Sequence, residues 1–415
     1  MRKSIIAAVL ITLIYHGVAF SQGRYMSVDG QLRVRAYFKN NTKDFTSTKS
    51  DKYREVLQRT RVQFIVRHSS YLQVLAQFQD SRSWGTETET RSDMKNVDLH
   101  QGFIEYKPEG KNTYIFRLGR QEMDLGDGRI IGKNDWNNVG RSFDAFRMIM
   151  RSVGFRCDIF FSKVAHAPIL ADNFIYGLYY TKHFGKSMAD FYFIGAKEKN
   201  GSVLTSNDRL VNNLGFRLDL NSETIQFKSE FVYQIGRVGL TADAAKIGLS
   251  AYGLASSLKI KAGKRFYFGG EITLGSGDDD PASGDVKTLQ VMYPNLHKFL
   301  GPMDLQGWSN AKTMILFFGI KTGKNSDLKF AFNNLEINNT NDYWYDINGS
   351  PYTGGLAGEN KLIGREFDFT YKKSLVENLF IQIGGSLMFP KGVVLATTGK
   401  DDMAVYFYAM TTVSF

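Results

Sequence analysis

The sequence predicts an all-β fold: a transmembrane antiparallel β-barrel of about 18 strands, with short periplasmic turns and long extracellular loops. Three observations predict it. Residues 113–151 alternate with period two on both sides of a Gly/Asp/Asn-rich loop, the mark of strands with two different environments. There Phe146, Met148 and Met150 share one face, and Ala145, Arg147, Ile149 and Arg151 the other. Large apolar groups against arginine fit hydrocarbon outside and water inside. The connections between predicted strands alternate short and long. The chain opens with an export signal and closes on an amphipathic strand that stops at Phe415.

Residues 1–21 read as a signal peptide. Arg2 and Lys3 supply its charge, residues 5–14 its apolar run, and Ala19-Phe20-Ser21 a cleavage site that leaves Gln22 first. An uncleaved anchor is the alternative, but the apolar run falls short of the roughly 20 residues a helical span needs. No later segment is long and apolar enough either, so residues 22–415 read as one membrane domain, closed to satisfy its backbone in lipid.

The first strand, 26–39, sets Arg33, Arg35 and Tyr37 against Leu32, Val34, Ala36 and Phe38. The second, 55–68, sets Arg59, Arg61, Gln63 and Arg67 against Thr60, Val62, Phe64 and Val66. The third, 71–80, turns Gln73, Gln77 and Gln79 inward. A fourth follows at 96–107. The fifth, 113–124, opposes Tyr114, Phe116 and Leu118 to Ile115, Arg117 and Gly119. The sixth and seventh, 143–152 and 154–164, add Arg147, Arg151, Arg156 and Asp158 to the inner wall, across a very short join at Ser152-Val153-Gly154. Strands at 173–184, 189–198, 209–220, 224–236, 246–260 and 265–276 continue it with Arg217, Asp219, Lys228, Glu230, Gln234, Tyr267 and Glu271. Strand 311–322 is apolar on both faces, so periodicity does not orient it. Strands 326–337, 361–373, 378–389 and 404–415 complete the count. The last carries Val405, Phe407, Ala409, Thr411, Val413 and Phe415 on one face, the form that barrel assembly machinery recognises in terminal strands. A soluble β domain ending on Phe is the weaker alternative. Tight turns such as Ser69-Ser70 and residues 221–223 alternate with long links, of which 125–142, 277–310 and 338–360 are the longest.

Composition agrees. Mean hydropathy is −0.26, because alternating strands hide their apolar half in the average. The single Cys157 rules out an internal disulfide; among Phe155, Ile159 and Phe161 it reads as a small lipid-facing residue. Without Arg2 and Lys3 the chain keeps 50 basic against 41 acidic residues, a net of +9. Arg33, Arg35, Arg59, Arg61, Arg67, Arg117, Arg147 and Arg156 would line the pore. Crowded guanidinium forks would favour anions. The plainer alternative pairs them with Glu105, Asp124, Asp158, Glu230 and Glu271, as braces. Export and barrel geometry argue against nucleic acid as the partner of this positive charge. Outer-membrane lipid and lipopolysaccharide are the expected surroundings.

A cluster of motifs adds a resemblance. Gly119-Arg120-Gln121-Glu122, then Gly126-Asp127-Gly128-Arg129, Gly132, Trp136 and Gly140 through Asp144-Ala145, resemble the alginate-export family of outer-membrane porins, as do Gly275–Pro281 and Tyr293–Asp304. The resemblance implies an eighteen-stranded monomer whose arginine- and lysine-lined pore passes an acidic polyuronate. It makes Arg120, Arg129, Arg141 and Arg147 candidates for the substrate path, with Asp127, Trp136 and Asp144 as loop residues. For the first three, packing against Asp124, Asp127 or Asp144 is the competing role, and packing is the preferred one for Arg141. Some members of the family pass other solutes, so anion passage is the safer expectation.

No phosphate-binding loop, zinc spacing or nucleophile triad is present, so neither an enzyme nor a cofactor is expected. His297 reads as a loop-packing residue. Asp278, Asp279 and Asp280 offer hard oxygens for a cation but lack the spacing of a calcium motif, and a solvated loop is the simpler reading. The leading function class is a passive channel for anionic solutes. The others are a barrel hydrolase, for which no Ser and His pair is found, and an adhesin or structural barrel with a closed lumen.

Overall fold

A computed structural model describes residues 25–47, 52–86, 95–108, 113–165, 173–198, 209–239, 247–280, 284–352, 355–356 and 358–415. The expected signal peptide lies outside the described residues. All eighteen predicted strands are present, with ends shifted by a few residues: β1 (Tyr25–Asn40), β2 (Tyr53–Arg67), β3 (Leu72–Ser83), β4 (Lys95–Tyr106), β5 (Tyr114–Gln121), β6 (Phe143–Ser152), β7 (Phe155–Val164), β8 (Phe174–Phe184), β9 (Ser187–Glu198), β10 (Arg209–Asn221), β11 (Ile225–Val238), β12 (Ile247–Ala262), β13 (Phe266–Gly275), β14 (Ala311–Gly323), β15 (Ser326–Ile337), β16 (Leu362–Val376), β17 (Leu379–Pro390) and β18 (Ala404–Ser414). Every strand pairs antiparallel with its neighbours in sequence. β18 pairs back on β1, from Gln31 with Ser414 to Asn40 with Val405, so the sheet is closed. Closure removes the two edges that an open sheet of this length would expose.

Side chains sort by the predicted parity. Leu118, Phe161 and Phe193 stand outward and exposed, while Arg59, Arg147 and Arg217 stand inward and buried. Cys157 sits on an outward position, shielded by its neighbours. The two-residue join of β6 to β7 leaves Val153 fully exposed. The structure orients β14: Met314, Leu316 and Phe318 face outward, and Thr313, Ile315 and Phe317 face the lumen. Both faces read as apolar because this stretch of inner wall is itself partly apolar.

One boundary is corrected. β5 was expected to run to Asp124 but ends at Gln121. At Glu122 the chain leaves the wall for the lumen, and the Glu122 amide donates to the side chain of Gln101 on β4.

The apolar core lies inside the barrel, at its loop end. Met123, Ile131, Leu289, Met292 and Tyr293, from the β5–β6 and β13–β14 loops, pack on Phe143, Phe160, Tyr179, Tyr192, Ile194, Val211 and Val232 of the wall. A second cluster joins Phe45, Leu305 and Trp344 to Leu335, Ile363, Met388 and Tyr406. It includes Val393 and Val394 of α1 (Gly392–Thr398), a short helix between β17 and β18 that ends on Gly399 at φ 73°. The lumen is therefore largely filled by folded-in loops.

Candidate functional site: the lumen path

The inward course of the β5–β6 loop begins in its glycines. Gly126 at φ 58° and Gly128 at φ 79° make a tight turn, closed by bonds from Gly128 N to Leu125 O (2.9 Å) and Leu125 N to Ile131 O (3.0 Å). The following segment lies parallel to the β13–β14 loop. Tyr293 N donates to Ile130 O (2.9 Å) and Gly132 N to Tyr293 O (2.7 Å). Arg141 locks the two loops together by donating to the carbonyls of Gly132, Tyr293 and Pro294 at 3.0, 2.6 and 2.9 Å.

The tip of this loop, Asp135-Trp136-Asn137, meets the arginines of β1 and β2. Arg33 donates to the carbonyls of Asp135 (2.6 Å) and Asn137 (3.0 Å), and Arg35 to that of Trp136 (2.7 Å). Arg59 donates to Asp135 O at 3.0 Å and pairs with its carboxylate at 2.9 Å. Arg61 reaches the same carboxylate at 3.0 Å and Glu122 at 3.3 Å. Guanidinium forks suit such converging oxygens. Burial alone would raise the Asp135 carboxyl. Arg59, Arg61 and Arg33 outweigh it and hold the group well below the usual carboxylate range.

Most other predicted pore arginines are ion-paired. Arg117 pairs with Glu105, Arg147 with Asp158 at 2.7 Å, and Arg156 with Asp158 at 2.6 Å. Arg67 donates to Gln73 and lies over the Tyr25 ring. Arg129 pairs with Glu271 and stacks 3.9 Å above Phe299. Asp127 accepts from Arg217 and Lys228. Burial opposes its ionisation, but these cations win and bring its pKa to about 2. Arg120, raised by the resemblance as a path residue, instead shares the outward parity of Leu118 at the rim. Both prongs of its fork meet Asp144, at 2.8 and 3.1 Å. Asp278 accepts from the amides of Asp280 and Lys287, and Asp279 pairs with Lys287. Among the described residues no group of three or more His, Cys, Asp or Glu is arranged to hold a metal.

A run of cavities remains along one side. Its central cavity, about 560 Å³, is bordered by Arg33, Arg59, Lys133, Lys298, Lys329 and Lys372, with Asp124, Asp135 and Asp327 as its acids. Toward the turns it adjoins a cavity of about 530 Å³ that adds Lys321, Lys324 and Lys373. Toward the loops it adjoins one of about 150 Å³ beside Tyr37, Lys39 and Asp304. Trp136 and His297 border both the central and the loop-side cavity. Their rings stack at 3.9 Å and 6°, with Arg35 of β1 4.2 Å from the Trp136 ring and Asp304 bonded to His297 Nδ1 at 3.0 Å. Periodicity missed the lysines of this path. Lys329 was readable from its place between Asp327 and Ala331, opposite Phe330. Lys372 stands next to Lys373, so the sequence alone does not say which of the two faces inward. Nothing in the sequence marks Asp135 as the loop anchor.

Residues 24–407 match the family model for alginate export. No curated protein matches the chain. Similar solved structures include Pseudomonas aeruginosa OccK9 (OpdG), with 10% identity, TM-score 0.65 and coverage of 94% of this chain and 98% of that one. P. aeruginosa OprD gives 11%, 0.62, 94% and 93%, and Acinetobacter baumannii OccAB1 gives 11%, 0.62, 94% and 96%. At such identities the likeness shows the fold, a closed outer-membrane porin barrel. One family model spans nearly every stave and both inward loops, so the chain belongs to the alginate-export family and is a bacterial outer-membrane β-barrel.

Proposed function

We propose that the barrel is a channel for anionic solutes, and that acidic, uronate-type oligo- or polysaccharide is its cargo class. One observation carries this reading. The inner wall of the path presents Lys329 and Lys372, neither within ion-pairing distance of a carboxylate among the described residues, beside Arg33, Arg59, Lys133 and Lys298. Cations thus outnumber the bordering acids, and a confined lumen with that excess concentrates anions. Family membership supports the cargo class. The arginines paired with Asp158 and Glu105 contribute rigidity; each cluster sets two cations on one carboxylate and stands on the wall away from the cavities that border β1, β2 and β14–β18.

Reconstitution in planar bilayers under a salt gradient tests the proposal. Anion preference is expected, reduced in Lys329→Gln/Lys372→Gln and retained in Arg117→Ala. Cation preference, or no conductance at all, would return the barrel to a structural or adhesin role. Oligouronates should block the current more strongly than neutral oligosaccharides of equal length; equal block would leave a general diffusion porin.

A further inference from the structure

Three cations stand in a row on the outer surface, away from the lumen. Lys163 on β7, Lys197 on β9 and Arg237 on β11 all face outward at the loop end, and all are exposed. Register sets them at one level. Lys197 pairs with Phe174 of β8 and with Leu210 of β10, and Leu210 pairs with Arg237. Lys163 Nζ lies 4.7 Å from the Phe174 ring. Strands spaced at about 4.8 Å put the cations of alternate strands roughly 10 Å apart. Below them on the same strands, Phe161 and Ile235 stand one outward position down and Phe193 two, past Gly195; all three are exposed, at the edge of the apolar band.

The neighbouring acid is occupied. Asp144 is the register partner of Lys163, but both its oxygens are taken by Arg120. Along β7 to β11 no described outward position carries Asp or Glu, and at the turn end the only outward cation within these strands is Lys182. Among the described residues of this arc, positive charge is thus concentrated at one rim, above hydrocarbon-facing aromatics.

We propose that this arc is a docking surface for a phosphorylated glycolipid of the outer leaflet, of the lipopolysaccharide kind. Its headgroup phosphates would sit on Lys163, Lys197 and Arg237, with its acyl chains lying along Phe161, Phe193 and Ile235. Charge complementarity and the apolar strip beneath it single out a lipid over a free anion, which has no use for that strip.

The test is native mass spectrometry of the purified barrel with lipid A, dephosphorylated lipid A and phosphatidylcholine. Lipid A should be retained preferentially. Lys163→Gln/Lys197→Gln/Arg237→Gln should weaken retention on the order of tenfold to a hundredfold, whereas Lys182→Gln should not. Strand content and bilayer conductance should be unchanged, since none of the three residues faces the lumen. If the triple variant fails to fold, Lys197→Gln with the salt dependence of retention gives the same answer. Equal retention of dephosphorylated lipid A, or of lipid A by the triple variant, would overturn the proposal. Displacement by millimolar inorganic phosphate alone would make the arc an anion site and overturn it too.

Discussion

At the residue scale, alternation says which way an arginine points but not what it meets. Arg147 and Asp158 are buried together inside the wall. Removing one partner of such a pair leaves the other charge poorly compensated. Arg147→Ala is expected to cost about 3 kcal/mol in urea unfolding, with ion selectivity intact; unaltered stability would mean the pair is dispensable. Asp135 gives a pH prediction. A carboxyl depressed in the folded state adds stability above about pH 4, its unfolded value, and loses it as pH falls toward the folded one. The loop clamp should therefore hold from neutral pH to about pH 5 and slacken only in stronger acid. Channel noise measured against pH would show it, and a transition near neutrality would contradict the clamp. Gly275 marks a close approach. A Cβ there would stand 1.7 Å from the backbone oxygen of Trp308. Gly275→Ala should destabilise the barrel by about 1–3 kcal/mol, read as a lower thermal midpoint. Parity was legible for Arg33, Arg59 and Arg147. Asp158, the partner of Arg147, stood among the acids the sequence offered; the partners of Arg33 and Arg59 were not legible, because the carbonyls and the carboxylate they meet lie on a loop 76 to 104 positions away.

At the element scale, the β5–β6 loop decides what is open. Its tip is fastened to β1 and β2, its base to the β13–β14 loop, and it carries the Trp136 ring to the narrow part of the path. Trp136→Ala should raise single-channel conductance severalfold while leaving the barrel folded. Unchanged conductance would place the narrowest point elsewhere. The strands were legible because a two-residue period against lipid leaves little choice of face. The loops were legible only as long connections. Their inward fold depends on apolar residues such as Met123 and Met292, which have no periodicity and are buried by packing on each other. The end of β5 was misjudged for the same reason, since Met123 looks like one more alternating position until its partners across the lumen are seen.

At the scale of the whole molecule, the closed eighteen-strand wall was readable from the alternation of strands and of short and long connections. The position of the path within it was not. The cavities border β1, β2 and β14–β18, whereas the wall from β6 to β12 is sealed at the loop end by apolar packing. This off-centre lumen divides the labour between two arcs. Saturation mutagenesis with paired readouts for folding and flux should separate them. Inward substitutions on β6–β12 should show mainly as lowered stability or yield, and those on β14–β18 should be tolerated by the fold yet altered in traffic. One arc then behaves as ballast, held still by selection for assembly, while the other is left free to be retuned for new cargo without rebuilding the vessel.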